Sequence, residues 1–181
     1  MRSLLEYCCP LWNPSGPNSI TLIKMLEGVQ RTFTSKIHSL HELNYWQRLK
    51  ELDLMSLQRR RERYIIIYVW KILTGRVPND LKISFYMSER NSIKAVIPKL
   101  PTHRSNISSY DRSFSVIGPK LWNILPNSCT LVLHSLEKFK QQLGIFMAQF
   151  PDLPPCNGYF TPNSNSMLEW ASSNHRNLQS C

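Results

Sequence analysis

The chain has 181 residues, of which 42% are hydrophobic, and Lys+Arg 22 against Asp+Glu 12 gives a formal net charge of +10. That hydrophobic share excludes wholesale disorder and suffices for a real core in what reads as one domain with flexible ends. The basic excess favours polyanionic partners such as nucleic acid or acidic lipid and bears on association rather than on fold.

In chain order, residues 3–12 (SLLEYCCPLW) read as the last turns of a helix, ended by Pro10 and the Asn13-Pro14 pair. Leu4, Leu5, Tyr7 and Cys8 give it an apolar face with nothing upstream to cover it, so the expectation is a shortened chain that opens in mid-element. Asn18 or Ser19 then caps a helix to about Ile37, with Ile20, Ile23, Leu26, Val29, Phe33 and Ile37 at helical spacing as its core face. Lys24, Gln30, Arg31 and Lys36 fall largely on the other side. A short helix over Leu43 to Leu52 follows, with Tyr45, Leu49 and Leu52 as its stripe, and Asp53 is placed to cap the next element.

That element, from Leu54 to Arg76, organises the rest. It has no proline and no glycine before Gly75, and Gly75 with Pro78 supplies a stop, which predicts one long helix. Its second half, Tyr64 to Trp70, is apolar on every side and is expected to be covered all round. Its first half carries Arg59, Arg60, Arg61 and Arg63, expected to meet water or an anion.

Beyond Gly75, residues 82–120 alternate basic, β-branched and turn residues. Pro98 and Pro101 bar a long helix there, which predicts a small extended or β segment that includes Phe114 and Val116. Pro119 to Leu125 reads as a helical turn that buries Trp122. Ser135 opens a final amphipathic helix to about Phe150, with Leu136, Phe139, Leu143 and Phe146 inward. From Pro151 on, Pro, Asn and Ser dominate; such a stretch buries too little to offset its ordering entropy and is read as a disordered tail. The expected fold is therefore mainly α: a helical domain over residues 3–150, and a tail over 151–181.

The chemistry-bearing residues are sparse. Cys8, Cys9, Cys129, Cys156 and Cys181 are odd in number and follow no secretory leader, which favours free thiols in a reducing, intracellular compartment over a disulfide framework. Adjacent Cys8 and Cys9 diverge by about 100° on a helix, and His38 and His41 lack further ligands at a zinc-like interval, so no metal or other cofactor is expected. No phosphate-binding glycine loop, nucleophile elbow or paired carboxylates are present, and Asp53, Asp80, Asp111 and Asp152 stand singly, so neither catalysis nor a small-molecule substrate is expected. The longest apolar run is far short of the ~20 residues that span a bilayer, and no membrane partner is expected. What remains is the arginine turn. Arg59, Arg60, Arg61 and Arg63 are the candidate nucleic-acid-binding residues, since phosphate contact is what clustered guanidinium groups on a helix supply.

Six stretches in order carry a resemblance: YCCPLWNP (7–14), IKMLEGVQRTFTSKI (23–37), YWQRLKELDLMSLQRRR (45–61), YVWKILTG (68–75), FSVIGPKLWNILP (114–126) and SLEKFKQQL (135–143). Over roughly residues 3–150 they resemble the region after the reverse-transcriptase core in jockey-like non-LTR retrotransposon polyproteins. In that family the endonuclease, fingers and palm lie upstream, and the palm's catalytic aspartates have no counterpart here. The resemblance therefore implies a non-catalytic fragment of an RNA-directed DNA polymerase, a basic helical segment near RNA or DNA. Its alternative is a helical protein-interaction module that packs on a polymerase core lying outside this chain.

Overall fold

The computed structural model describes residues 5–14, 19–78, 99–102, 110, 113–150, 152 and 165–171. Among them the chain is mainly helical and contains no strand. The helices are α1 (Cys9–Trp12), α2 (Ile20–Ser35), α3 (Tyr45–Glu51), α4 (Leu57–Leu73), α5 (Phe114–Asn123), α6 (Asn127–Thr130) and α7 (Leu136–Ala148), with a 3₁₀ turn at His38–Leu40 and a helical turn over 167–171. The chain divides into two compact units, one drawn from Met1–Glu62 and Pro151–Cys181 and the other from Arg63–Phe150. Helix α4 contributes residues 57–62 to the first and 63–73 to the second.

The second unit has an ordinary apolar interior. Ile66, Val69 and Trp70 of α4, Val116 and Leu121 of α5 and Phe139 and Leu143 of α7 are sealed from solvent. Trp70 and Trp122 each stack near-parallel to Phe139, at centroid separations of 5.5 and 6.0 Å. The Trp70 indole N–H donates to the Val132 carbonyl at 2.7 Å, which satisfies its one polar atom. Trp122 is buried as expected. The stop at Gly75 is a Schellman motif: Gly75 sits at φ 67°, its N–H meets the Ile72 carbonyl and the Arg76 N–H meets the Lys71 carbonyl.

Most of the expected extended segment lies outside the described residues, but Phe114 and Val116 do not: they open helix α5, which runs through Pro119. Phe114, Ile117, Leu121 and Trp122 recur at helical spacing, and burying that face outweighs the hydrogen bond Pro119 cannot make. Gly118 matters here, because a Cβ at that position would lie 3.0 Å from Val69 Cγ2.

The first unit is built differently, around polar groups. Asn44 and Gln47 form a capping box that starts α3. Asp53 does not cap α4. It stands in the left-handed region at φ 49° and ends α3: its N–H meets the Lys50 carbonyl and the Leu54 N–H meets the Leu49 carbonyl. The start of α4 is held by Ser56, whose Oγ accepts from Arg59 N, and by carboxylates from distant parts of the chain. Asp152 accepts from Ser56 N and Oγ at 2.6 and 2.8 Å, and Glu27 accepts from Leu57 N at 3.1 Å. Negative groups at a helix start are favoured by its unpaired N–H groups and dipole.

Most of the tail from Pro151 on lies outside the described residues. Asp152 and residues 165–171 do not: Asn165, Ser166 and Met167 are buried in the first unit. They are held by hydrogen bonds to α4, Asn165 N donating to Gln58 Oε1 and Met167 N to Glu62 Oε2, with Met167 the one large apolar group sealed in.

Candidate interaction surface

The arginine turn is used within the fold. Arg59 and Arg61 are 2% and 1% exposed, and Arg60 and Arg63 are intermediate, so none of the four presents itself fully to solvent. Arg59 Nε donates to the Asn165 carbonyl at 2.5 Å. Arg60 makes a two-point ion pair with Glu6, Nη2 meeting Oε2 at 3.0 Å. Arg63 Nη2 donates to the Lys140 carbonyl at 3.1 Å. Arg61 lies over the Trp12 ring at 5.5 Å, and none of its three guanidinium nitrogens has a hydrogen-bond partner. Burial lowers the pKa of both Arg59 and Arg61. The turn was expected to meet water or an anion: Arg60 meets the Glu6 carboxylate and is half-exposed with Arg63, whereas Arg59 and Arg61 are enclosed; in the half expected to be covered all round, Tyr64 is 41% exposed.

Carboxyl groups meet this turn from the inside. Glu62 accepts from Ser166 Oγ at 2.6 Å and from Met167 N at 2.9 Å, and burial pushes its pKa up to about 7. Glu27, on α2, accepts from the Tyr45 hydroxyl as well as from Leu57 N, and burial raises its pKa too. Gln30 donates to Tyr45 Oη at 3.2 Å and to the Met55 carbonyl at 3.1 Å, while Thr34 Oγ1 accepts from Arg48 Nε at 3.3 Å.

Those partners fix how α2 lies, and the result departs in part from the expected orientation: Ile23 is inside and Lys24, Arg31 and Lys36 are outside as expected, but other positions are not. The buried face is Ile23, Glu27, Gln30 and Thr34. At 100° per residue, Leu22, Met25, Val29 and Phe33 fall within about 80° of one another on a second face, centred about 120° from the first. On that face Leu22, Met25 and Phe33 are 55%, 65% and 62% exposed and Val29 is intermediate. Phe33 was expected inside and Gln30 outside; each is where the other was placed. The helix buries polar side chains because they terminate the loose backbone groups at 55 and 57, a task no leucine can do. Leu22 and Met25 belonged to no expected stripe. The available signal was width: apolar residues cover so much of this helix that one face could not bury them all.

Further apolar exposure occurs at Tyr7 and Leu11, both 73% exposed, beside Trp12 at 41%. The apolar face expected at the start of the chain is thus partly uncovered, although Cys9 is buried there. His38 and His41 stack at 5.6 Å, and among the described residues no three His, Cys, Asp or Glu side chains gather as a metal cluster. Asp53 and Asp152 serve the backbone as described, and Asp80 and Asp111 lie outside the described residues. No helix among the described residues is long and apolar enough to cross a membrane. Compared with known proteins, the chain matches no family model, no curated protein and no solved structure.

Proposed function

We propose that this chain is a non-catalytic helical module that binds another protein through the outer face of α2. One observation carries the reading: α2 turns Glu27, Gln30 and Thr34 inward and leaves Leu22, Met25 and Phe33 outside together. An apolar face of that kind is uneconomical on a lone chain and marks a contact surface. The resemblance drawn from the sequence supplies a candidate partner, the reverse-transcriptase core of a jockey-like retrotransposon. The test is calorimetric titration of the chain into such a purified core. Met25→Glu with Phe33→Glu should weaken binding at least tenfold, about 1.4 kcal/mol. No binding by the wild-type chain, or equal binding by the double variant, overturns the reading.

Contact with RNA or DNA is the second reading, and the net charge of +10 favours it. It loses the arginine turn as its anchor, because Arg59 and Arg61 are enclosed and Arg60 is paired. Binding on this reading is diffuse and weakens steeply with salt.

A further inference from the structure

The first turns of α4 carry side chains that read the main chain of another segment. Gln58 Oε1 accepts from Asn165 N at 2.8 Å, Arg59 Nε donates to the Asn165 carbonyl, and Glu62 Oε2 accepts from Met167 N at 2.9 Å. At 100° per residue Gln58, Arg59 and Glu62 fall within about 100° of one another on the helix. In an extended chain the N–H groups of residues i and i+2 share one edge, about 6.6 Å apart, with the C=O of residue i between them. Gln58 and Glu62, four residues apart, are separated by about 6 Å along α4, so acceptor, donor and acceptor fall in step with that edge. The start of α4 thus has the geometry of a receptor for one edge of a peptide.

Side chains supply the selectivity. Ser166 Oγ donates to Glu62 Oε1 at 2.6 Å and accepts from Leu168 N at 3.2 Å, so one hydroxyl both engages the site and starts the helical turn over 167–171. Asn165 Nδ2 donates to Asp152 Oδ1 at 3.1 Å, and the Met167 side chain is sealed from solvent. Residues 168–171 are only half-buried. The pattern recognised is therefore Asn-Ser-Met: an amide donor, a hydroxyl donor and an apolar side chain in that order.

Two features make residues 165–171 an exchangeable occupant. Asn165 Oδ1 and Trp170 Nε1 are enclosed without a hydrogen-bond partner, and both regain water when the segment leaves. Asp152 is held separately, by Ser56 N and Oγ, so it stays at the start of α4 whether or not the segment is docked. We infer that the start of α4 is a peptide-binding site, that residues 165–171 fill it in cis, and that a separate peptide of the Asn-Ser-Met pattern exchanges with them. The outer face of α2 takes no part in it, so this site and the contact proposed for that face succeed or fail independently.

The probe is an N-terminally acetylated peptide copying residues 165–171, labelled at its C-terminal end and followed by fluorescence anisotropy as the full chain is added. Met167→Asp in the chain expels its own segment, and removal of that competitor should tighten peptide binding at least ~10-fold over wild type. Glu62→Ala in that variant should weaken binding at least ~10-fold, as should a phosphoserine in the peptide, which sets a phosphate against the Glu62 carboxyl. Circular dichroism checks that each variant is folded. No peptide binding by a folded Met167→Asp chain, or binding indifferent to Glu62→Ala and to the phosphate, overturns the inference. If Met167→Asp unfolds the chain, hydrogen exchange in the wild type decides: the Asn165 and Met167 amides should exchange at least ~10-fold faster than those within α2. A common rate for both would show that the segment leaves only when the whole unit unfolds, and that result also overturns it.

Discussion

Glu62→Gln is the substitution that most directly probes the polar interior of the first unit. Glu62 is 4% exposed, and burial lifts its pKa from 4.5 to about 7. The folded chain therefore holds this proton more tightly than the unfolded chain does. The stability that the proton brings is complete below pH 4.5 and is lost as pH rises through about 7. A gap of about 2.5 pKa units corresponds to roughly 3 kcal/mol at 1.36 per unit, an order-of-magnitude figure. Glu27, also raised by burial, acts in the same direction. Gln at position 62 imitates the protonated acid: its carbonyl accepts from Met167 N and its amide donates to Ser166 Oγ, whose hydroxyl rotates to receive it. Urea unfolding at about pH 5 and about pH 8, followed by circular dichroism, reads the difference. Wild type should lose stability toward the higher pH. Glu62→Gln should lose less and exceed wild type there by up to ~3 kcal/mol. Equal wild-type midpoints at the two pH values, or an unchanged slope in Glu62→Gln, would refute the claim that a buried carboxyl limits this unit.

Two other substitutions probe the same region. Arg61→Met removes buried donors that have no acceptor, and it should stabilise the fold by about 1–3 kcal/mol; a loss of similar size in denaturant unfolding would show that the guanidinium is paired. Asp53→Gly relieves a non-glycine residue at φ 49° and should raise the urea midpoint by an amount worth about 1 kcal/mol, and a lowered midpoint would count against left-handed strain at this helix end.

How much of this was legible in the sequence differs between the two units, and the difference is physical. In the second unit apolar spacing and burial largely agree: of Tyr64 to Trp70, Ile65, Ile66, Ile67, Val69 and Trp70 are interior, Tyr68 is half-buried and Tyr64 exposed; Trp122, Phe139 and Leu143 are interior, Leu136 and Phe146 half-buried, and Gly75 stops α4. The main departure is α5, because proline was weighed as a local breaker without the face that Phe114, Ile117 and Leu121 bury together. In the first unit the rule that apolar means inside fails at α2. What decides there is not transfer energy but which side chain reaches an unpaired backbone group on a neighbouring element. Glu27 reaches Leu57 N, Gln30 reaches the Met55 carbonyl and Asp152 reaches Ser56 N, across sequence separations that no local window spans.

The same cause hides the candidate surface. A polar interior needs many polar side chains turned inward, and on a helix with apolar residues on more than one side that rotation carries some of them outward. Leu22, Met25 and Phe33 are exposed because Glu27, Gln30 and Thr34 are not. The buried network and the apolar surface are two faces of one rotation, which gives them a common test. Glu27→Leu should leave the Leu57 N–H unpaired, and the energetic reason for α2 to face inward with Glu27 would disappear. If the rotation is the cause, that variant should shield the Met25 and Phe33 side chains from solvent-borne labels while it destabilises the start of α4. If Met25 and Phe33 stay as accessible as in the wild type, the orientation of α2 is set elsewhere, and the exposed face is independent of the network beneath it.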